Sequence, residues 1–361
     1  MADLIELTTT GAAAVRTAFA NQIEYCLKNG APLTARVVAA LASALDHAEG
    51  SAFLQRIAGW TGAPLGDALA LRAAGGVHAM HLAGKSGEIA ALFRDATMQD
   101  EDGARMGRFV REHEAELLPW LDGPPQTNEA GRSSSFIAAM LWLAARGLPA
   151  RFECFEIGSS AGINLMIDRY RYDLAGVTVG PEGAAMAFRP EWRGSPPSAG
   201  PLTFSSLKGC DVAPVDLTDP VQALRLKAYI WPDHIERFAR MEAAIAAAQE
   251  QRPSIARMDA AEFVETELGR PQQGGTTRVL MHSIVWQYVP ADQQARVTAA
   301  MEAAGRLATA ERPLAWIALE ANRTLHHHEL VVRHWPGDGA PVMLGRAHAH
   351  GAWVELFEAP R

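Results

Sequence analysis

Glu156-Ile-Gly158-Ser159-Ser160-Ala-Gly162 follows an apolar β-type run, residues 151–157, and precedes a stretch with helical spacing, residues 161–171. Strand before and helix after is the context in which a glycine-rich loop cradles a nucleotide-type ligand. Gly158 lets the backbone turn sharply and approach a ligand, and Gly162 lets the helix begin close to the strand. The helix N-terminus is expected to offer unpaired N–H groups and partial positive charge to a carboxylate or phosphate. The plain alternative for so short a motif is a tight turn without a ligand.

Downstream of the loop, short β-type runs alternate with helical ones. Strands are expected at 212–215, 254–257, 278–285 and 314–319. Helices are expected at 260–268 and 290–304, and two more open at Asp219-Pro220 and Trp231-Pro232, with proline in the first helical position where its missing N–H costs nothing. Strands separated by helices imply βαβ crossovers and a mostly parallel, doubly wound α/β sheet. A Pro- and Gly-rich excursion, 176–209, carries a hairpin near 185–192. Two closing strands, 330–334 and 352–357, have no helix between them and read as an antiparallel hairpin at one edge.

Upstream, residues 12–120 are rich in Ala, Leu, Arg and Glu with apolar residues at helical spacing, as in Leu33-Thr-Ala-Arg-Val37-Val38-Ala-Ala-Leu41. Asn29-Gly30, Gly62-Ala-Pro64, Gly75-Gly76 and Gly84 are expected to divide this region into five or six helices. Asp122-Gly123-Pro124-Pro125 closes it. The reading is an all-helical N-terminal domain, 1–125, followed by a Rossmann-like domain, 126–361.

The totals fit two domains, because 361 residues exceed the size, about 250 to 300 residues, at which single cores stop growing. A net charge of −8 argues against an electrostatic grip on nucleic acid. Cys26, Cys154 and Cys210 form no C-x-x-C pair, so neither a disulfide framework nor a zinc ribbon is expected, which suits a cytoplasmic setting. The first residues carry Asp3 and Glu6 without a basic start, so no signal peptide is read, and no apolar run approaches the ~18 residues of a membrane span.

The loop resembles the first motif of class I S-adenosylmethionine-dependent methyltransferases: an acid, x, Gly, x, Gly or a small residue, x, Gly at this strand end. The resemblance implies a mostly parallel sheet with S-adenosylmethionine as cofactor. Its methionine part would be wrapped by Gly158, Ser159, Ser160 and Gly162, with Glu156 toward the amino group. Ser160 stands where a second Gly is common. An acid after the second strand would accept from the ribose hydroxyls, both of which are donors. Asp216, ending Val212-Ala-Pro-Val-Asp, is taken for it, with Asp173 as the fallback. Asp259, in Ile255-Ala-Arg-Met-Asp259-Ala260, fits the acid that accepts from the adenine amino group, and equally a helix N-cap.

A wider set of blocks resembles the bacterial family of domain of unknown function 2332. They are Gln126-Thr-Asn128-Glu129-Ala-Gly-Arg132, Glu156 through Tyr172, Glu191-Trp192-Arg193-Gly194, Gly209-Cys-Asp211 with Pro214-Val-Asp216, Trp231-Pro232, His282-Ser283-Ile-Val-Trp286-Gln287-Tyr288 and Ala347-His348-Ala-His350-Gly351. The resemblance implies a cytoplasmic bacterial protein with a methyltransferase-like fold and no particular substrate.

Open α/β sheets hold the reacting group at the carboxyl ends of their strands, where His282 is expected as a general base. A buried, hydrogen-bonded structural histidine is the alternative. Trp286 and Tyr288 read as pocket wall. Thr127 or Asn128 would cap a helix that closes over the ligand, with Glu129 or Arg132 reaching it. Asn164 and Asp168, at i and i+4, share a helix face.

His326-His327-His328, His334, His348 and His350 invite a metal. Three consecutive histidines cannot face one ion from a strand, although His348 and His350 would share a face. No carboxylate or Cys stands at ligand spacing, so no metal is expected. Ser133-Ser134-Ser135 and Ser159-Ser160 lack a G-x-S-x-G elbow, which disfavours a serine hydrolase. The expected function is methyl transfer from S-adenosylmethionine to a small molecule, with the helical domain as a substrate lid. Its rivals are a non-catalytic ligand-binding or regulatory protein of the same fold, and an oxidoreductase, whose G-x-G-x-x-G this loop lacks.

Overall fold

The computed structural model describes residues 8–126, 128–322 and 327–357. It divides into two compact units: the described residues of Met1–Thr127 with Asp219–Ala239, and those of Asn128–Thr218 with Arg240–Arg361.

In the first unit the helical spacing produces helices Ala12–Lys28, Pro32–Ala44, Ala52–Ala58, Leu69–Leu82, Asp102–Glu112 and Glu114–Leu117. Phe19, Leu41, Phe53, Leu69, Val77 and Phe109 meet in one core, each contributing about 1.5–3 kcal/mol by leaving water. Gly75-Gly76 does not break a helix. Both lie inside Leu69–Leu82 because a side chain there would collide with the Tyr229 and Trp120 rings.

Helix Pro220–Ala228 opens as its sequence predicts, with the Asp219 carboxylate accepting from Val221 and Gln222 N–H. Trp231-Pro232 opens none; that chain turns, and the helix is Ile235–Glu250. Asp233 is occupied elsewhere, accepting from Leu33 N–H at 2.8 Å and Thr34 N–H at 2.9 Å and so capping Pro32–Ala44. That cap ties the segment Asp219–Ala239 to the helical unit, which a simple boundary near residue 125 does not express. Among the described residues no helix is long and apolar enough to cross a membrane.

The second unit is mixed α/β. Its strands are β1 (Arg151–Ile157), β2 (Tyr170–Leu174), β3 (Val177–Val179), β4 (Met186–Phe188), β5 (Glu191–Gly194), β6 (Thr203–Asp211), β7 (Ser254–Arg257), β8 (Thr277–Ser283), β9 (Leu314–Asn322), β10 (His327–Trp335), β11 (Val342–Ala347) and β12 (Trp353–Leu356). Nine form one mostly parallel sheet in the order β5-β12-β11-β10-β9-β8-β1-β6-β7, and β3-β2-β4 form a small one. From β7 to β9 every pairing is parallel.

Phe155, Ile157, Leu280 and Trp316 pack on one face with Phe263 of helix Ala260–Gly269 and Val297 and Met301 of helix Ala291–Gly305. On the other face, Trp142 of helix Ser133–Ala145 meets His334 edge to face.

Further expectations fail for physical reasons, among them the hairpin near 185–192, whose β4 and β5 pair with β2 and β12 in different sheets rather than with each other. Residues 161–171 form a 3-10 helix, Ile163–Arg169, non-helical at Met166, and Tyr170 already begins β2. Tyr170 and Tyr172 are fully buried there, with Tyr170 OH donating to the Ile163 carbonyl at 2.9 Å, and an α-helix would not place both rings in that core. Residues 212–215 are loop; the second parallel strand is β6, whose Ser205, Ser206 and Lys208 lack the apolar run of a buried strand. Nor do the closing strands form a two-stranded hairpin at the edge. β11 pairs between β10 and β12, and β5 lies beyond them as the edge.

Candidate functional site

From β1 the chain crosses over to β6, and from β8 to β9 on the other side, so the crevice between the carboxyl ends of β1 and β8 is a topological switch point. Open α/β sheets bind ligands at such a crevice. Gly158 borders it with φ +65°, and a Cβ there would collide with Val285 from the other bank. The space expected for ligand approach at Gly158 is thus occupied by Val285. Ile284, a β-branched residue held at φ +54°, aims Val285 there.

Glu156, next to last in β1, is almost wholly buried, at 2% exposure. Asn164 Nδ2 donates to its Oε1 at 2.8 Å, and Asn164 is 1% exposed. Glu156 Oε2, Asn164 Oδ1 and the Ser160 hydroxyl are buried with no hydrogen-bond partner among the described residues. Burial, with a smaller push from the Asp211 charge, raises the Glu156 carboxyl to about 7, against the Asn164 and Ser159 side chains and the Arg132 charge, which pull it down. Unmet polar groups in a core cost roughly 1–3 kcal/mol each, so two acceptors and a hydroxyl left so around one loop mark a place where polar partners are wanted.

Four amides of the loop and the turn after it are occupied. Ser159 N–H donates to the Cys210 carbonyl (2.9 Å), Ser160 N–H to Asp211 Oδ2 (2.8 Å), Gly162 N–H to the Ser159 carbonyl (2.7 Å) and Ile163 N–H to Asn128 Oδ1 (3.2 Å). The expected row of unpaired N–H groups at a helix start is absent among these, because the segment is a short 3-10 turn tied to β6 and to Asn128. Gly209 of β6 admits this loop, since a side chain there would run into Ser159.

The acid that ends the second parallel strand is Asp211, bonded through Oδ2 to Ser160 N–H and through Oδ1 to Ala213 N–H at 2.8 Å. Asp216 lies five residues beyond, in the loop, where it accepts from Thr218 N–H at 2.9 Å and pairs with Arg252. Asp173 is on β2 of the small sheet and pairs with Arg189 at 2.9 Å. The Gly209-Cys-Asp211 block carried the signal for Asp211, which the misplaced strand hid. Asp259 stands just past β7 and caps helix Ala260–Gly269 by accepting from Glu262 N–H at 2.9 Å.

His282 is 1% exposed and has both ring nitrogens engaged. Trp316 Nε1–H donates to His282 Nε2 at 2.9 Å, and an indole can only donate, so the proton sits on Nδ1 and bonds Glu320 Oε1 at 2.6 Å. Glu320 Oε1 also accepts from Val285 N–H (3.2 Å) and Trp286 N–H (3.3 Å). His282 therefore positions the β8 turn, and its geometry is that of the structural alternative. Trp286 stacks on His282 with ring centres 5.2 Å apart, whereas Tyr288 is 73% exposed and walls no interior space.

Glu129 accepts from Arg240 at 2.9 Å and from Gly131 N–H at 3.1 Å. Arg132, 6% exposed, donates to the Ala349 carbonyl at 2.8 Å, bringing the turn that holds His348 and His350 beside the start of helix Ser133–Ala145. Gly131 is needed there because a side chain would strike the His350 carbonyl. His348 and His350 lie in a turn after β11 rather than on a strand, and their rings meet edge to face at 5.4 Å. Thr127 and His326 lie outside the described residues. Among the described residues no three His, Cys, Asp or Glu side chains gather as a metal site.

A family model described as "Uncharacterized protein conserved in bacteria (DUF2332)" matches residues 16–356, and the chain belongs to that family. The match begins far upstream of residue 126, where the resembling blocks start, so it takes in most of the helical region. No curated protein matches the chain, and neither does any solved structure.

Proposed function

We propose that this member of the family is an S-adenosylmethionine-dependent methyltransferase acting on a small molecule, with the cofactor at the carboxyl ends of β6, β1 and β8. The observation that carries the reading is the pair of buried acceptors beside the switch point, Glu156 Oε2 and Asn164 Oδ1, which find no partner among the described residues. An ammonium group supplies the donors that both oxygens lack.

Three features support it further. Counted along the chain, the parallel strands run third, second, first, fourth, fifth across the sheet, which is the doubly wound order that seats nucleotides at this crevice. Asp211 ends the second strand and Asp259 follows the third, so carboxylates border the ribose and adenine ends of the proposed site. The blocks 128–132, 156–164, 209–211 and 347–351 converge on one rim through direct hydrogen bonds and close backbone contacts.

When bound, the cofactor would supply an electrophilic methyl group. Such a transfer needs alignment and exclusion of water more than covalent help. Glu156 and Asn164 would orient the amino acid end, and Val285 would have to shift from Gly158 to admit it. Asp216 and Asp173, expected to hold ribose, are each paired with an arginine, so Asp211 takes that place in the proposal.

A ligand-binding protein without transfer is the second reading, favoured by the commitment of both His282 nitrogens. Thermal unfolding of the full chain with S-adenosylmethionine, S-adenosylhomocysteine or NAD tests the binding common to both. A ligand at 100 times its Kd stabilises by about 2.7 kcal/mol. Both adenosyl ligands should raise Tm and NAD should not. A folded chain whose Tm neither adenosyl ligand moves would falsify the proposal.

A further inference from the structure

The sheet face that carries Glu156 carries a second histidine toward its rim. His328 on β10 lies opposite Ala321 of β9 and Ala347 of β11. Paired residues share a sheet face and every second residue repeats it. Ala321, Leu319 and Ile317 therefore lie on one face, and the register continues from Ile317 through Met281 to Glu156. His328 and Glu156 thus project from the same side, His328 nearer the rim at the carboxyl ends of β8 and β9.

Arg132, Glu320, His348 and His327 are the charged and titratable groups acting on it. Arg132 acts on Glu156 too, so its charge spans the two. The His328 ring is half-buried, and no described residue hydrogen-bonds to it, in contrast to His282. Burial first, and the Arg132 charge second, lower its proton affinity below that of an ordinary histidine, which favours the neutral imidazole.

We propose that His328 is the base for methyl transfer to a hydroxyl or amine of a small-molecule acceptor held at this rim; the assignment rests on the transfer reading above. The acceptor's lone pair forms the bond to the methyl carbon, and the carbon–sulfur bond breaks with its electrons going to sulfur. The proton leaving the acceptor oxygen or nitrogen passes to a ring nitrogen of His328. General-base assistance of this kind contributes roughly 10²–10⁴-fold.

The test uses the full chain, His328→Ala and His328→Gln, methyl-tritiated S-adenosylmethionine, and a deproteinised bacterial extract as the source of acceptors. Calorimetry with S-adenosylhomocysteine runs alongside. Both variants should bind S-adenosylhomocysteine within about twofold of the unaltered chain and lose at least about 100-fold in transfer. Added imidazole should restore transfer to His328→Ala, a rescue that a structural role would not give. Transfer by His328→Ala at the unaltered rate would overturn the role of His328 alone, as would a loss that imidazole does not rescue. If the unaltered chain binds but transfers no label, the transfer reading falls and His328's role falls with it. If it does not bind at all, the cofactor assignment itself is refuted.

Discussion

Asn164 holds one oxygen of Glu156 at 2.8 Å and leaves the other, with its own carbonyl oxygen, buried and unpaired among the described residues. A fold gains nothing from that arrangement. Its cost falls on stability, and its return, on the account above, is ligand binding.

Glu156→Gln separates the two. Glutamine keeps an acceptor for Asn164 Nδ2 and can donate to Asn164 Oδ1. It also lacks the charge that burial penalises. Because the folded-state carboxyl lies near 7, above its ordinary 4.5, the penalty grows as pH rises from about 4.5 to 7 and stays constant beyond. Urea unfolding at pH 8 should show Glu156→Gln more stable by about 1–3 kcal/mol, with the difference fading toward pH 4.5. A variant less stable than the parent at pH 8 would contradict the burial argument.

The same group makes binding pH-dependent. An ammonium ligand selects the ionised carboxylate, so S-adenosylhomocysteine affinity should rise with pH up to about 7 and level off above it. Below 7 it should fall by up to about tenfold per pH unit. Calorimetry in buffers of differing ionisation heat should detect proton release near pH 6. Pure pH independence between 5.5 and 8 would remove Glu156 from the contact.

His282→Ala reports on the β8 turn. It leaves the Trp316 N–H and the Glu320 carboxylate without their partner, a loss of about 2–4 kcal/mol. The urea midpoint should drop accordingly. A midpoint within error of the parent would show that the turn holds itself without the imidazole.

In the helical unit, His78 is 5% exposed and bonded to the Ala228 carbonyl at 3.0 Å, and burial lowers its pKa from 6.5 to about 4. A depressed histidine gives stability that is complete above about 6.5 and lost as pH falls toward 4, up to about 3 kcal/mol. Denaturant titrations at pH 7 and 4.5 should show this loss, and His78→Gln should reduce it. An equal loss in the variant would assign the acid sensitivity elsewhere.

How far the sequence reached follows from where its signals are local. β1 and β7 match their predicted bounds, and Asp219 and Asp259 cap helices, because apolar runs and caps are set by neighbours in the chain. β6 was hidden because its stability comes from backbone pairing on both sides, with polar Ser205, Ser206 and Lys208 along it. A strand read at 212–215 puts the second-strand acid at Asp216, whereas β6 ends at Asp211. β11 follows the breakers of Pro336 to Pro341, but exposed Met343 and the interior Gly345-Arg346 interrupt the apolar pattern that would mark it as a strand. The role of His282 depends on Trp316 and Glu320, more than thirty residues away, which no spacing rule reveals.

The central claim is that Glu156 and Asn164 hold the amino acid end of an adenosyl cofactor. Calorimetric titration of S-adenosylhomocysteine into the full chain and into Glu156→Gln at pH 8 tests it most directly. The account predicts saturable binding to the parent and at least about tenfold weaker binding to the better-folded variant, a loss of roughly 1.4 kcal/mol or more. Equal affinity in the two proteins, or no binding to a folded parent, would contradict it.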